Sequence, residues 1–436
     1  MNLHAFERLE SEVRSYVRSF PVVFTRAVGA TLEDESGRRY IDFFAGAGTL
    51  NYGHNNRRLK NALLTYLNSD GIVHGLDMAT SAKRAFMETF DEVILQPRGL
   101  SYKLQFPGPT GANAVEAALK LARQVKGRNT IISFTRGFHG VTGGALAATA
   151  NATYRKAAGI ALENTVFMPY DGYLGAKADT MAYLDAMLAD RGSGVDAPAA
   201  VIVETIQGEG GINVARAEWL RALQSMCQRH DMLLIVDDIQ MGCGRTGRFF
   251  SFEEAGLQPD IVTLSKSLSG YGLPLSLVLI RPDLDIWSPG AHNGTFRGNN
   301  LAFVTAREAL NAYWRDGVFA AEVGRKGRIV RSRLEHIAAC YPSGAFTVRG
   351  RGMVQALVSK DPELAGKIAE RAFQQGLVIE TSGAYGEALK VLAPLVIDEA
   401  QLRQGLEIIE RSVGDVLGAD ATAPAAPAFL RMAGAR

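Results

Sequence analysis

Met232-Leu233-Leu234-Ile235-Val236-Asp237-Asp238 and, after a glycine-rich passage, Ile261-Val262-Thr263-Leu264-Ser265-Lys266-Ser267 are the two runs whose reading decides the fold. Each is a short, unbroken apolar run with polar residues gathered at its end. Runs of this kind, buried on both faces, read as central strands of a parallel sheet. In open α/β sheets, ligands bind at the carboxyl ends of such strands. Asp237 and Lys266 both arrive at that edge. Taken alone, the two residues would also suit an ordinary strand-end ion pair.

A carboxylate and an amine so placed are what pyridoxal phosphate (PLP) requires: a lysine for the Schiff base and an aspartate to keep the pyridine nitrogen protonated. The flanking chain fits a ligand-binding sheet. Residues 59–200 alternate helical patterns with short strands, the mark of a doubly wound α/β fold. Pro109-Thr110-Gly111-Ala112-Asn113 opens an amphipathic helix expected over 114–125, and free N–H groups at such a start suit an anion. Ile131-Ile132-Ser133-Phe134 leads to Gly137-Phe138-His139-Gly140, where an aromatic can stack on a planar heterocycle. By default, Phe138 would be core and His139 a hydrogen-bonded loop residue. The strand 199–203 ends in Glu204, with Gln207-Gly208-Glu209-Gly210-Gly211 behind it.

Toward the N-terminus, a helix is expected over 9–20, then a hairpin of 30–34 and 39–42 turned at Glu35-Ser36-Gly37. Gly46-Ala47-Gly48 follows a strand, but no helix opens behind it, so a dinucleotide fingerprint is rejected. Small residues at 46–51 could still line a pocket. A long helix is expected from 301 to about 315, with amphipathic helices beyond 317. The Ala/Pro-rich tail from 418 reads as poorly packed.

Composition narrows the function classes. The 436 residues carry 47 basic and 45 acidic side chains, a net +2, and so no nucleic-acid footprint. Three scattered cysteines argue against a disulfide framework and for a reducing, cytoplasmic setting. Seven histidines show no metal-ligand spacing, so no metal is expected. Neither a signal peptide nor a run of roughly 18 apolar residues is found, so no membrane partner is expected.

Taken together, Thr110-Gly111-Ala112-Asn113-Ala114, Phe138-His139-Gly140, Glu204 through Gly211, Asp237-Asp238-Ile239-Gln240, Gly244-Arg245-Thr246-Gly247, Ser265-Lys266 and Gly294-Thr295 resemble the class III (ω-amino acid) aminotransferases of PLP fold type I. The resemblance runs over residues 23–397 with the motifs in family order. It implies a mostly parallel central sheet flanked by helices, with a smaller α+β domain built from both chain ends. The expected division is 1–56 and 316–417 for the small domain, 57–315 for the PLP-binding domain, and 418–436 for the tail.

Roles are implied residue by residue. Lys266 resembles the Schiff-base lysine, and Asp237 the partner of the pyridinium nitrogen. Gln240 would bond the ring's 3-oxygen and Phe138 stack on the ring, with His139 beside it. Thr110, Gly111 and Ala112 would cradle the phosphate. Thr295 would reach the neighbouring subunit's phosphate, making the protein a homodimer or higher homo-oligomer. Glu209 and Lys390 resemble a substrate gate, although many members place an arginine at 390, and lysine offers only a point charge.

The stretches 14–24 and 43–56 resemble one branch of the class. They imply amino transfer from glutamate to aspartate 4-semialdehyde, giving 2,4-diaminobutyrate and 2-oxoglutarate, as in the first step of ectoine biosynthesis. Transamination of 4-aminobutyrate, ornithine or a polyamine, and a semialdehyde aminomutase, stay open at this point.

Overall fold

The two apolar runs are strands, and they lie side by side. The computed structural model describes residues 3–342 and 344–418. In chain order its strands are β1 (Phe24–Val28), β2 (Thr31–Asp34), β3 (Arg39–Asp42), β4 (Lys103–Gln105), β5 (Ile131–Phe134), β6 (Thr165–Met168), β7 (Ala200–Val203), β8 (Ile206–Gln207) and β9 (Asn213–Val214). They continue with β10 (Leu233–Asp237), β11 (Ile261–Leu264), β12 (Leu277–Ile280), β13 (Phe346–Arg351), β14 (Val354–Ser359), β15 (Leu377–Val378), β16 (Glu380–Ser382) and β17 (Ala388–Val391).

Seven strands form the main sheet in the order β4-β12-β11-β10-β7-β5-β6. Only β12 runs against its neighbours; the remaining pairs are parallel. β10 stands at the centre with all of its residues buried. Its side chains alternate between two layers. Leu233 and Ile235 join the alanine-rich face of the helix Gly111–Lys126, while Leu234 and Val236 meet Leu223 and Met226 of the helix Ala217–Arg229. That is why the run shows no polar alternation. Each such side chain contributes about 1.5–3 kcal/mol relative to exposure.

Two four-stranded sheets lie apart from the main one, β1-β2-β3-β15 and β13-β14-β17-β16. In the first, β15 from the C-terminal third pairs parallel to β3 from the N-terminus. One apolar cluster joins Ile41 and Phe43 to Leu377, Leu389, Leu402 and Leu406. The β2–β3 hairpin turns where expected, with Gly37 at φ +81°.

Two expectations need correction. The helix over 9–20 is broken into His4–Leu9 and Tyr16–Ser19. Leu9 and Val13 are 71% and 88% exposed, so a helix continued through 9–13 would bury no apolar side chain there to offset its ordering. Arg14 and Arg18 instead spend their guanidinium groups on carbonyls at Glu10, Ser11 and Glu12. The helix expected from 114 begins at Gly111, because Thr110 and Asn113 form a reciprocal cap. Apart from Gly418, the tail lies outside the described residues.

Candidate active site

Asp237 closes β10 opposite Thr263 of β11. Three residues after Thr263 the chain reverses: Ser265 is extended and Lys266 is left-handed at φ +48°. A lysine gains nothing intrinsic from that conformation, which costs of order 1–3 kcal/mol and persists only where the surroundings impose it. The reversal brings Lys266 to the wall of a cavity it shares with Gly111, Ala112, Phe138, His139, Gly140, Glu204, Glu209, Asp237, Ile239, Gln240 and Met241. Most of the residues singled out in the sequence therefore meet in one place.

Asp237 is held on both oxygens. Its Oδ2 lies 2.7 Å from His139 Nδ1, which donates to it. Its Oδ1 accepts from Ile239 N and from Thr263 Oγ1, each at 3.2 Å. Burial pushes His139 down, but the bond to Asp237, the Asp237 charge and that of Glu204 outweigh it, so the imidazole sits above its ordinary value. Glu204 accepts from the backbone of Phe138 and Gly208 and is raised to about 7, chiefly by burial. Asp238 is turned the other way: it is fully buried, bonded to Ser251, and raised to about 7 by burial.

Lys266 is lowered from the usual lysine range by burial; Glu209, Glu380 and Asp237 pull it back up through charge and Lys390 pushes it further down. A closed site thus favours the neutral, nucleophilic amine. At the other end of the cavity, the Thr110 side chain is used up in its cap, accepting from Asn113 N. Gly111 N and Ala112 N have no protein acceptor among the described residues. A side chain at 111 would come within 3.0 Å of Ile239 Cδ1, so anything larger than glycine would push on the Ile239 side chain.

These features fit PLP. Two free N–H groups at the start of a 16-residue helix suit its phosphate. Ile239 and the half-buried Phe138 offer apolar faces to a ring, with a carboxylate and an amine in the same cavity. Gln240 fits less directly. Its Nε2 already donates to Ala47 O and Glu209 Oε1. Its free atom, Oε1, is buried against Gly208. The bond to Glu209 is the one it would have to exchange to reach a ring oxygen. The 46–51 stretch does not line the cavity but backs it, through Ala47 O on Gln240 and Gly48 O on Ser267 Oγ.

Lys390 and Thr295 lie outside the cavity wall. Lys390 is wholly buried, with Nζ 2.8 Å from Glu209 Oε1 and 2.8 Å from Glu380 Oε1. Burial pulls Lys390 down, but the two carboxylates outweigh it and hold it above the usual lysine range. Burial raises Glu209, but Lys390 and Lys266 outweigh it and hold it low. Thr295 sits exposed in a short turn whose carbonyl accepts from His74 Nε2 at 2.7 Å. Sequence reading passed over Glu380 and assigned Glu204 no role. Each ends an apolar run, Leu377-Val378-Ile379 and Ala200-Val201-Ile202-Val203, the same mark that singled out Asp237.

Known proteins align along nearly the whole chain. The family model for class III aminotransferases matches residues 13–413. A diaminobutyrate–2-oxoglutarate transaminase of Bordetella parapertussis is 66% identical over 418 residues, 96% of either chain. One of Halomonas elongata is 59% identical over 415 residues, covering 94% of this chain and 99% of that one. The solved ornithine aminotransferase of Toxoplasma gondii, with PLP at partial occupancy, superposes with a TM-score of 0.82 at 28% identity, over 95% of this chain and 93% of that one. The fold, the cavity and these matches agree: the chain belongs to the class III aminotransferases.

Proposed function

We propose that this aminotransferase moves an amino group reversibly from L-glutamate to L-aspartate 4-semialdehyde, giving L-2,4-diaminobutyrate and 2-oxoglutarate. The observation that carries the reading is the convergence of Lys266, Asp237 and the free N–H groups of Gly111 and Ala112 on one cavity. The choice of substrates is supported by relatives of that name at 57–66% identity. Bound PLP supplies an electron sink for the carbanion left when the substrate's carbon loses its proton. Lys266 attaches the group and carries that proton, Asp237 holds the proton on the ring nitrogen, and the 111–112 backbone binds the phosphate.

The two-domain division, with strand pairing between β3 and β15 in its favour, belongs to the same reading. So do supply of a diamine to ectoine synthesis and a cytoplasmic setting; the cysteines are free, and no described helix is long and apolar enough to cross a membrane. The test is an amino-donor panel with 2-oxoglutarate as the acceptor. Diaminobutyrate should yield glutamate in equal amount to the 2-oxoglutarate consumed, well ahead of 4-aminobutyrate and ornithine. Product formed without 2-oxoglutarate would mean an aminomutase.

Thr295, exposed beside the 66%-exposed Phe296, is proposed to complete the phosphate site of a second copy. The smallest active unit is then a homodimer. Sedimentation under assay conditions checks this, and a fully active monomer excludes it.

Glutamate presents a carboxylate on its reacting carbon, whereas the reacting carbon of diaminobutyrate carries none. The Glu209–Lys390 pair at 2.8 Å supports a gate in which Glu209 withdraws for the first and stays for the second. Glu209→Ala should slow the diaminobutyrate half-reaction more than the glutamate one, because the carboxylate that covers Lys390 on the cavity side is gone. Lys390→Ala should do the reverse. Single-turnover rates of each half-reaction decide it, and equal losses in both halves for both variants would sink the gate.

A further inference from the structure

Lys390 is held by two carboxylates, and they are anchored differently. β16 and β17 are antiparallel with Glu380 directly opposite Lys390, so the two side chains share one face of the sheet. Glu380 is 8% exposed and fixed in that ladder. Glu209 stands on the loop between β8 and β9 with glycines on both sides, and its side chain is 27% exposed. A loop carboxylate flanked by glycines can withdraw. A strand carboxylate has its backbone held by the ladder, and the Glu380 side chain is buried where it stands.

We propose that Glu380 is a specificity-determining residue, a fixed counter-ion that keeps Lys390 paired when Glu209 leaves and thereby limits the grip on a substrate carboxylate. This rests on the amino-transfer reading above. A gate with one movable carboxylate exposes a free cation, and an incoming carboxylate then meets its full attraction. Here the ammonium remains in contact with Glu380, whose negative charge opposes the newcomer. The same contact removes the penalty of an unpaired buried charge at every stage of the cycle. Lysine suits this arrangement, since a compact ammonium can sit 2.8 Å from two carboxylates at once. Glu380 acts through Lys390 and is a positioning residue.

The experiment compares the holoenzyme with Glu380→Gln. Glutarate, a five-carbon dicarboxylate with no amino group, is titrated calorimetrically, and diaminobutyrate affinity is taken from single turnovers. The expected result is glutarate binding tightened by about tenfold relative to diaminobutyrate. A merely structural glutamate would weaken both ligands together. Glutarate affinity that is unchanged or weaker overturns the inference.

Thermal midpoints give an independent check. Glu209→Ala leaves Lys390 with Glu380 and should melt close to the parent, while the double variant should fall well below the sum of the singles. Additive losses overturn the shared counter-ion. If Glu380→Gln does not fold, Glu380→Asp keeps the charge but draws it back from Nζ, and should tighten glutarate by a smaller factor; no tightening again overturns the inference. A parental enzyme that turns over neither glutamate nor 2-oxoglutarate defeats the amino-transfer reading instead.

Discussion

Lys266→Ala is expected to abolish steady turnover, by at least about 1,000-fold, or roughly 4 kcal/mol of barrier. Among the described residues the amine is the only lysine on the cavity wall, and burial holds its ionisation below the usual range. On the roles proposed for Lys266, alanine removes both the point of covalent attachment and the group that carries the proton to and from the substrate's carbon. The variant should still retain PLP without a covalent link, because the Gly111 and Ala112 N–H groups and Asp237 are untouched. Borohydride reduction followed by peptide mass spectrometry therefore gives a readout apart from activity. The parent should carry the cofactor on a peptide containing Lys266, and the variant should carry it nowhere. Turnover within tenfold of the parent, or label on another lysine, would remove Lys266 from this role.

Much of this was legible in the sequence because the chemistry sits where strands stop. A buried parallel strand has no polar face, so Asp237 and Lys266 stand out against Leu233–Val236 and Ile261–Leu264 without any knowledge of their neighbours. Thr110 was expected to help cradle the phosphate, but its side chain is spent on the cap with Asn113, leaving that part to the backbone behind it. What the sequence hid depends on pairing between distant segments. The His139–Asp237 bond spans 98 residues and the Ser267–Gly48 bond 219. Neither distance is readable from spacing. The register of β16 against β17, which sets Glu380 opposite Lys390, is fixed only once the sheet forms. The broken N-terminal helix has the opposite cause: its residues looked helical locally, and the missing element was a partner surface. Gln240 is the most instructive case, since its position was foreseen but its bonds to Ala47 and Glu209 follow from how two loops meet.

Asp237→Asn should slow the chemical step by a few hundred-fold, about 3–4 kcal/mol at roughly 1.4 kcal/mol per decade. The amide is nearly the same shape, so the variant should fold and bind. What it lacks is the charge proposed to hold a proton on the ring nitrogen. It also disturbs the support behind that charge. In the parent, Oδ1 accepts from Ile239 N and Thr263 Oγ1, leaving Oδ2 to accept from His139 Nδ1. If asparagine keeps its oxygen on the first pair, its NH2 faces Nδ1, and His139 must turn from donor to acceptor. The carboxylate that raises His139 is gone, so the imidazole should titrate below its parental value, which an NMR titration of the histidine would reveal. Asp238 cannot take over, because it is bonded to Ser251 on the other side of the strand and is pushed up to about 7 by burial. Stopped-flow single turnovers of both half-reactions measure the loss. Asp237→Glu retains a carboxylate and should recover part of the rate. A change below about tenfold in Asp237→Asn would shift the role to another group, and an unmoved His139 titration would separate the two residues altogether.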